Sequence, residues 1–169
     1  MRDIEFRAYN KKHKEWIYGT GIVKVEQDTY PTGEYEMVDS VNYDELDYWQ
    51  PTYYTQDIDI NTLGQYTGLK DENDIKIFEG DIIDFSYDIF NGNFDTLCAK
   101  GIIVFEEGAF WVKPYEIENK KVNSEDEEWY LLYRINLDVI EVIGNIYENK
   151  ELLGENMEED NYNHIPRID

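Results

Sequence analysis

Residues 64–83, GQYTGLKDENDIKIFEGDII, place two turn signals around one short apolar run. KDEND supplies the polar residues of a turn after Leu69. EGD predicts a second, tighter turn, in which Gly80 takes a positive φ and Asp81 bonds its own backbone. IKIF between them is a strand, and IIDFSYDIF continues as the next one. Two consecutive turns fix the register of the strand they flank, because slippage by one residue would turn its apolar face to water. A chain built around this stretch is committed to short antiparallel strands.

Further strands are expected on both sides. At the N-terminus IEFRAYN alternates, with Ile4, Phe6 and Ala8 on one side and Glu5, Arg7 and Tyr9 on the other, as a half-buried strand requires. NKKHK is a polar turn, and EWIYG with TGIVKVEQ predicts a strand pair interrupted at Gly19 and Gly21. DTYPTGEYEMVDS reads as loop with an edge strand, and SVNYDELDYWQP as one or two helical turns that Pro51 ends. Beyond the central stretch, the Asn-Gly in NGNFD signals a hairpin, KGIIVF and AFWVK form another around Gly108, and EWYLLYR and DVIEVIGNIYE supply the last strands, with a bulge at Gly144. The expected fold is therefore mainly β, a small antiparallel barrel-like or strongly bent sheet with added N-terminal strands and little helix. Residues 1–153 are read as one domain, with N-terminal strands and loop over 1–62 and the barrel-like unit over 63–153. The acidic segment 154–169 is read as a mobile tail.

Composition narrows the function. With 38 acidic and 15 basic residues the formal charge is −23, a surface that DNA, RNA and anionic lipid should repel. Direct nucleic-acid and membrane binding are not expected, no apolar leader opens the chain, and no run of about 18 apolar residues occurs. Cys98, alone in LCAKGIIVF, is read as an inert core thiol of a reducing, cytoplasmic compartment.

Catalytic chemistry finds little to work with. The two histidines, His13 in the lysine-rich turn and His164 in the tail, are read as solvated, and together with one cysteine they give no close-spaced zinc ligands. Asp57, Asp59 and Asn61 match the opening of an EF-hand loop, but Thr62 stands where glycine is needed and Gly68 where the bidentate glutamate is needed. QDIDIN is better read as a strand. Asp71, Asn73 and Asp74 are read as a polar turn in preference to a loose cation site. Phosphate-binding glycine loops are missing from the sequence. The acidic run at 125–128 is read as a solubilising flank of the strand after it, and the pairs Trp111 with Phe105 and Trp129 with Tyr133 as core. No residue is assigned as catalytic, cofactor-binding or metal-binding, and no cofactor is expected.

Three blocks carry a family likeness. IEFRAYNKKHKEWIY, QYTGLKDENDIKIFEGDII and VIGNIYENKELL, spanning positions 4 to 153 in order, resemble the opening, central motif and end of the YopX-like family. Two positions depart from it: Asn73-Asp74 stands where the family commonly has Asn-Gly, and Lys150 where it commonly has proline. Aspartate tolerates a left-handed φ less well than glycine, so strain is expected at that turn. The resemblance implies a gene of phages or prophages of mainly Gram-positive bacteria, acting in the host cytoplasm, and implies no activity or site residues. The expectation is a non-enzymatic module that binds a host or phage protein. The alternatives are an acidic nucleic-acid mimic with carboxylates in ordered rows, a carboxylate- or metal-dependent enzyme, and a self-assembling protein that exchanges the arm 154–169.

Overall fold

A computed structural model describes residues 4–27, 30–42, 52–90, 94–117, 120–121 and 130–153. The helical turns expected before Pro51, the Asn91-Gly92 turn, the acidic run at 125–128, Trp129, His164 and the tail lie outside the described residues. The described chain is mainly antiparallel β, arranged in two open sheets with no closed barrel. It divides into two compact units, Met1–Tyr66 and Thr67–Arg167. No helix among the described residues is long and apolar enough to cross a membrane.

The first unit contains β1 (Phe6–Asn10), β2 (Glu15–Gly19), β3 (Gly21–Gln27), β4 (Tyr30–Asn42) and most of β5 (Thr52–Lys70), in the order β2-β1-β5-β4-β3. β1 and β2 form a hairpin in register from Phe6↔Gly19 to Asn10↔Glu15. Alternation sends Ala8 and Ile17 into a small core with Met37, against which Phe6, Ile22, Ile58 and Leu63 pack. Ile4 does not follow the expected pattern and is exposed. Two other expectations are corrected. EWIYG and TGIVKVEQ are both strands, yet β2 pairs β1 and β3 pairs β4, at opposite ends of the sheet order. Gly19 explains the crossing: a Cβ there would lie 2.3 Å from the Val38 carbonyl oxygen, so only glycine lets the chain pass this close to β4. Thr20 then donates its N–H to that same oxygen at 2.9 Å. The segment read as loop with an edge strand is instead the 13-residue β4, which lies between β3 and β5. Its Pro31 is opposite Glu26, at a register shift, where a missing ladder donor is tolerated.

The second unit contains β6 (Lys76–Phe78), β7 (Asp81–Phe90), β8 (Phe94–Glu106), β9 (Ala109–Ile117), β10 (Lys120–Lys121), β11 (Tyr130–Leu131) and β12 (Ile140–Asn145). The order is β10-β9-β8-β7-β12, with β11 also on β9 and β6 on β5. Adjacent apolar residues such as Ile82 and Ile83 point to opposite faces, so this sheet is buried on both. Ile83, Phe85, Ala99, Ile103, Val112 and Ile140 fill one face; Ile82, Ile102, Ile146 and Leu153 fill the other. Within EWYLLYR the described residues form the two-residue β11 followed by a 3-10 turn, Leu132–Arg134, which buries Leu132 and leaves Tyr133 66% exposed. Tyr133 is therefore not core. Cys98 is exposed as well, opposite Ser86 and beyond Lys100 on the charged end of its face, past the second apolar cluster.

The turn-rich stretch holds this unit together. Asp71 is buried, and its Oδ1 accepts the N–H groups of Asn73 and Ile75 at 2.9 Å each while Oδ2 accepts that of Val142 at 3.0 Å. Glu72 N–H donates to the Ile140 carbonyl at 3.0 Å. One side of β12 pairs with β7, and these two bonds occupy backbone groups on β12 beyond that pairing, so the turn caps a sheet edge. Asp81 Oδ2 accepts the Phe78 N–H at 2.7 Å, and Gly80, at φ +82°, bonds both Ile103 and Ile146 through its main chain. Asp74 takes φ 65°, the left-handed conformation at the position where glycine is usual, and Lys70 Nζ lies 2.6 Å from its carboxylate.

Replacing Asp71 strands three backbone donors, each charge-assisted and two in the turn that caps β12. Asp71→Ala is expected to lower unfolding stability by about 3 kcal/mol, read by chemical denaturation. Tyr115 gives the opposite sign. The register steps from Gly101↔Pro114 to Lys100↔Glu116, leaving Tyr115 as the bulged residue, buried, with no hydrogen-bond partner for its hydroxyl among the described residues. Burial first, then the charges of Glu116 and Asp84, push its pKa up. A folded pKa above the unfolded one means stability fully present below about pH 10 and lost as pH rises beyond it. Tyr115→Phe is expected to stabilise by about 1 kcal/mol at neutral pH and to flatten the alkaline fall, measured by unfolding across that range.

Candidate functional site

The site begins with a turn built by one asparagine. Asn10 is 2% exposed, and its Oδ1 accepts the N–H groups of Lys12 and His13 at 2.9 Å each. Lys14 takes φ 57° and returns its N–H to the Asn10 carbonyl at 2.7 Å. The asparagine side chain thus does locally what a further ladder bond would do, and Lys11, Lys12, His13 and Lys14 project as an exposed tip.

Next to the turn, β5 bulges away from β1. Arg7 is opposite Gly64 but Tyr9 is opposite Asp59, so β5 uses five steps (64 − 59) where β1 uses two (9 − 7). Thr62 holds the extra chain: its hydroxyl accepts the Tyr9 N–H at 2.8 Å and donates to the Asp59 carbonyl at 2.7 Å. Asn61 donates to Asp59 Oδ1 through its N–H at 3.2 Å and its side-chain amide at 3.1 Å. Lys11 Nζ lies 2.6 Å from Asp59 Oδ2. Burial alone would raise the Asp59 pKa, but Lys11 and the Asn61 donors outweigh it and hold the carboxyl below its usual value. The bulge and turn enclose a cleft of about 360 Å³ lined by Lys11, Lys12, Tyr35, Asp57, Asp59 and Asn61 among others. That volume is at the lower end of small-ligand sites.

On the outer face of the hairpin, Arg7 is across from Tyr18 and Tyr9 across from Trp16. The Arg7 guanidinium lies 4.9 Å from the Trp16 ring centroid, and Tyr9 meets Trp16 edge-on at 5.6 Å. Arg7 is 8% exposed and Tyr18 48% exposed, so a buried cation backs a partly open row of rings. Alternation had marked Arg7 and Tyr9 as a solvent face. The available signal was the rings at 9, 16 and 18 with a cation at 7, meaningful only once the hairpin register pairs them.

Among the described residues, the structure does not gather the other residues singled out from the sequence into one site. Asp57, Asp59 and Asn61 lie on β5, as the strand reading requires, and not in a cation loop. Asp71 spends its carboxylate on three backbone donors, and Asp74 meets Lys70. Among the described residues no group of three or more His, Cys, Asp or Glu side chains is arranged to hold a metal. His13 is exposed in the turn. Trp111 is half-buried, with Nε1 donating to the Glu106 carbonyl at 3.0 Å, and Phe105 packs on Phe110 at 4.9 Å.

A two-unit, mainly antiparallel β chain with this central turn motif defines a recognisable class of small protein. The sequence profile of the YopX protein family matches residues 5–154, and the chain belongs to that family. Among solved structures it is similar to the crystal structure of protein EF1440 from Enterococcus faecalis, with 23% identity and a TM-score of 0.48 over 89% of this chain and 97% of that one. A comparison with curated proteins found no match.

Thr62→Val keeps the side-chain shape but removes the acceptor for Tyr9 and the donor to Asp59. It is expected to cost about 1–2 kcal/mol of unfolding stability, measured by denaturation, whereas Asn61→Ala, on an exposed position, should cost less.

Proposed function

We propose that this chain is a non-enzymatic protein-binding module of phage or prophage origin that acts in the bacterial host cytoplasm. The observation that carries the reading is the hairpin face of Arg7, Tyr9, Trp16 and Tyr18. Tryptophan, tyrosine and arginine are the residue types that dominate binding energy at protein interfaces. Here the Arg7–Trp16 stack and the Asn10-held turn fix them before any partner arrives, which reduces the ordering cost of association. At low ionic strength the net charge of −23 steers encounters toward basic regions elsewhere on a partner, while the hairpin rings supply affinity at contact.

The nucleic-acid mimic requires like charges in rows, and the described register gives it less support. Glu141, Asp84, Lys100, Glu116 and Lys121 follow one another across the second sheet. Two of the five are lysines, and Lys100 Nζ lies 2.7 Å from Glu116 Oε1. Hydrogen bonding to Glu116, opposed by burial and aided by the charges of Glu116 and Asp84, raises the Lys100 pKa, so the row is a paired ladder and not a phosphate-like track.

The test is capture by tagged full-length chain from lysate of a Gram-positive host at low and moderate salt, with mass spectrometry of the retained proteins. The expected result is a specific partner retained at moderate salt and lost about 30-fold with Tyr18→Ala. Displacement of that partner by added DNA would favour the mimic, and a wild-type chain that retains nothing would overturn the module reading.

A further inference from the structure

We infer that the β1–β2 hairpin receives an acidic, extended protein segment, so that the module meets its partner there through a cationic contact on an otherwise anionic molecule. The inference rests on the protein-binding reading above and names the chemistry of the partner. Residues 6–14, FRAYNKKHK, contain Arg7, Lys11, Lys12 and Lys14 and no acid, which puts four of the chain's 15 basic residues in one short stretch against 38 acidic residues in the rest. The Asn10 side chain fixes the turn that carries three of them. Lys11 is committed to Asp59. Lys12 and Lys14 form no ion pair among the described residues and stand exposed at the tip. Acids on these strands include Glu15, next to Lys14 and across from Asn10, and Asp57 and Asp59 in the cleft that Lys12 also lines.

Which charge decides binding is a question of range. At physiological ionic strength, fields are screened beyond about 8 Å, so the bulk charge of −23 repels an anionic partner weakly at contact distance while two unpaired ammonium groups act in full. The segment is extended because its seat is a two-strand hairpin whose register places Tyr9, Trp16 and Tyr18 on one face, matched by the alternating side chains of a strand. A protein segment fits better than a polyphosphate, which gains only a few cations here and has no apolar side chains to lay on the rings.

The probe is a fluorescein-labelled peptide of alternating glutamate and tyrosine, about eight residues long, titrated with full-length chain and read by anisotropy at about 100 mM salt. Binding of an anionic peptide by so anionic a protein cannot arise from bulk charge. The expected result is saturable binding, weakened tenfold or more by the double variant Lys12→Glu with Lys14→Glu and, with no change in net charge, by Tyr18→Ser. Circular dichroism melts confirm that both variants are folded. No binding, or equal binding by the double variant, overturns the inference. So does tighter binding of a single-stranded oligonucleotide of equal charge, or a concentration-dependent dimer in sedimentation that the double variant abolishes, which would give the site to a second copy. The two readings fail differently: a double variant that still captures the lysate partner sinks this inference alone, whereas a wild-type chain that captures nothing sinks the module.

Discussion

The second unit depends on one carboxylate. Asp71 leaves water to accept three backbone N–H groups, two from its own turn and one from Val142, 71 residues away in sequence. A buried charge is tolerable only when its lone pairs are occupied, and here every partner is a main-chain donor, the one from Val142 lying on a sheet edge that would otherwise expose it. The same contact therefore closes a turn, caps β12 and ties the beginning of the unit to its end. Gly80 and Asp81 repeat the arrangement one strand later, so β6 is held at both ends by turns that also bond distant strands.

The first unit uses the same chemistry for a different result. Asn10 holds the β1–β2 turn, and Asp59 and Thr62, also short polar side chains, take over backbone bonds where the ladder between β1 and β5 fails. In the second unit such residues seal an edge. Here they open a cleft and push a cationic turn outward, beside rings already packed on Arg7. The Arg7–Trp16 contact and the Asn10-held turn are ordered on folding, which is the preorganisation the proposed binding role requires.

Much of the strand content was legible because period-two alternation and turn residues act locally. KIF of the expected IKIF strand, IIDFSYDIF, KGIIVF and AFWVK lie within strands, and Gly80 and Gly108 both take positive φ. The strain expected at Asn73-Asp74 is visible as the left-handed φ of Asp74. The errors share a cause. DTYPTGEYEMVDS looked like loop with an edge strand until β4 proved to pair on both sides, Tyr133 looked like core until a 3-10 turn rotated it outward, and Cys98 looked buried until its row proved to extend past the apolar cluster. Each depended on pairing, packing or turn geometry that residue types alone do not state.

The sequence by itself determined the antiparallel β class, the two turns around β6, the anionic character and the family, since these follow from residue types, their spacing and their sum. Tertiary structure alone decided which strands pair, and with that the meaning of the polar residues. Asp71 could have been a cation ligand and is an edge cap. Arg7 and Tyr9 looked like a solvent face and are half of a ring stack. The physical reason is that a hydrogen bond or a ring contact needs both partners within a few ångströms, and a chain states only one of them at each position.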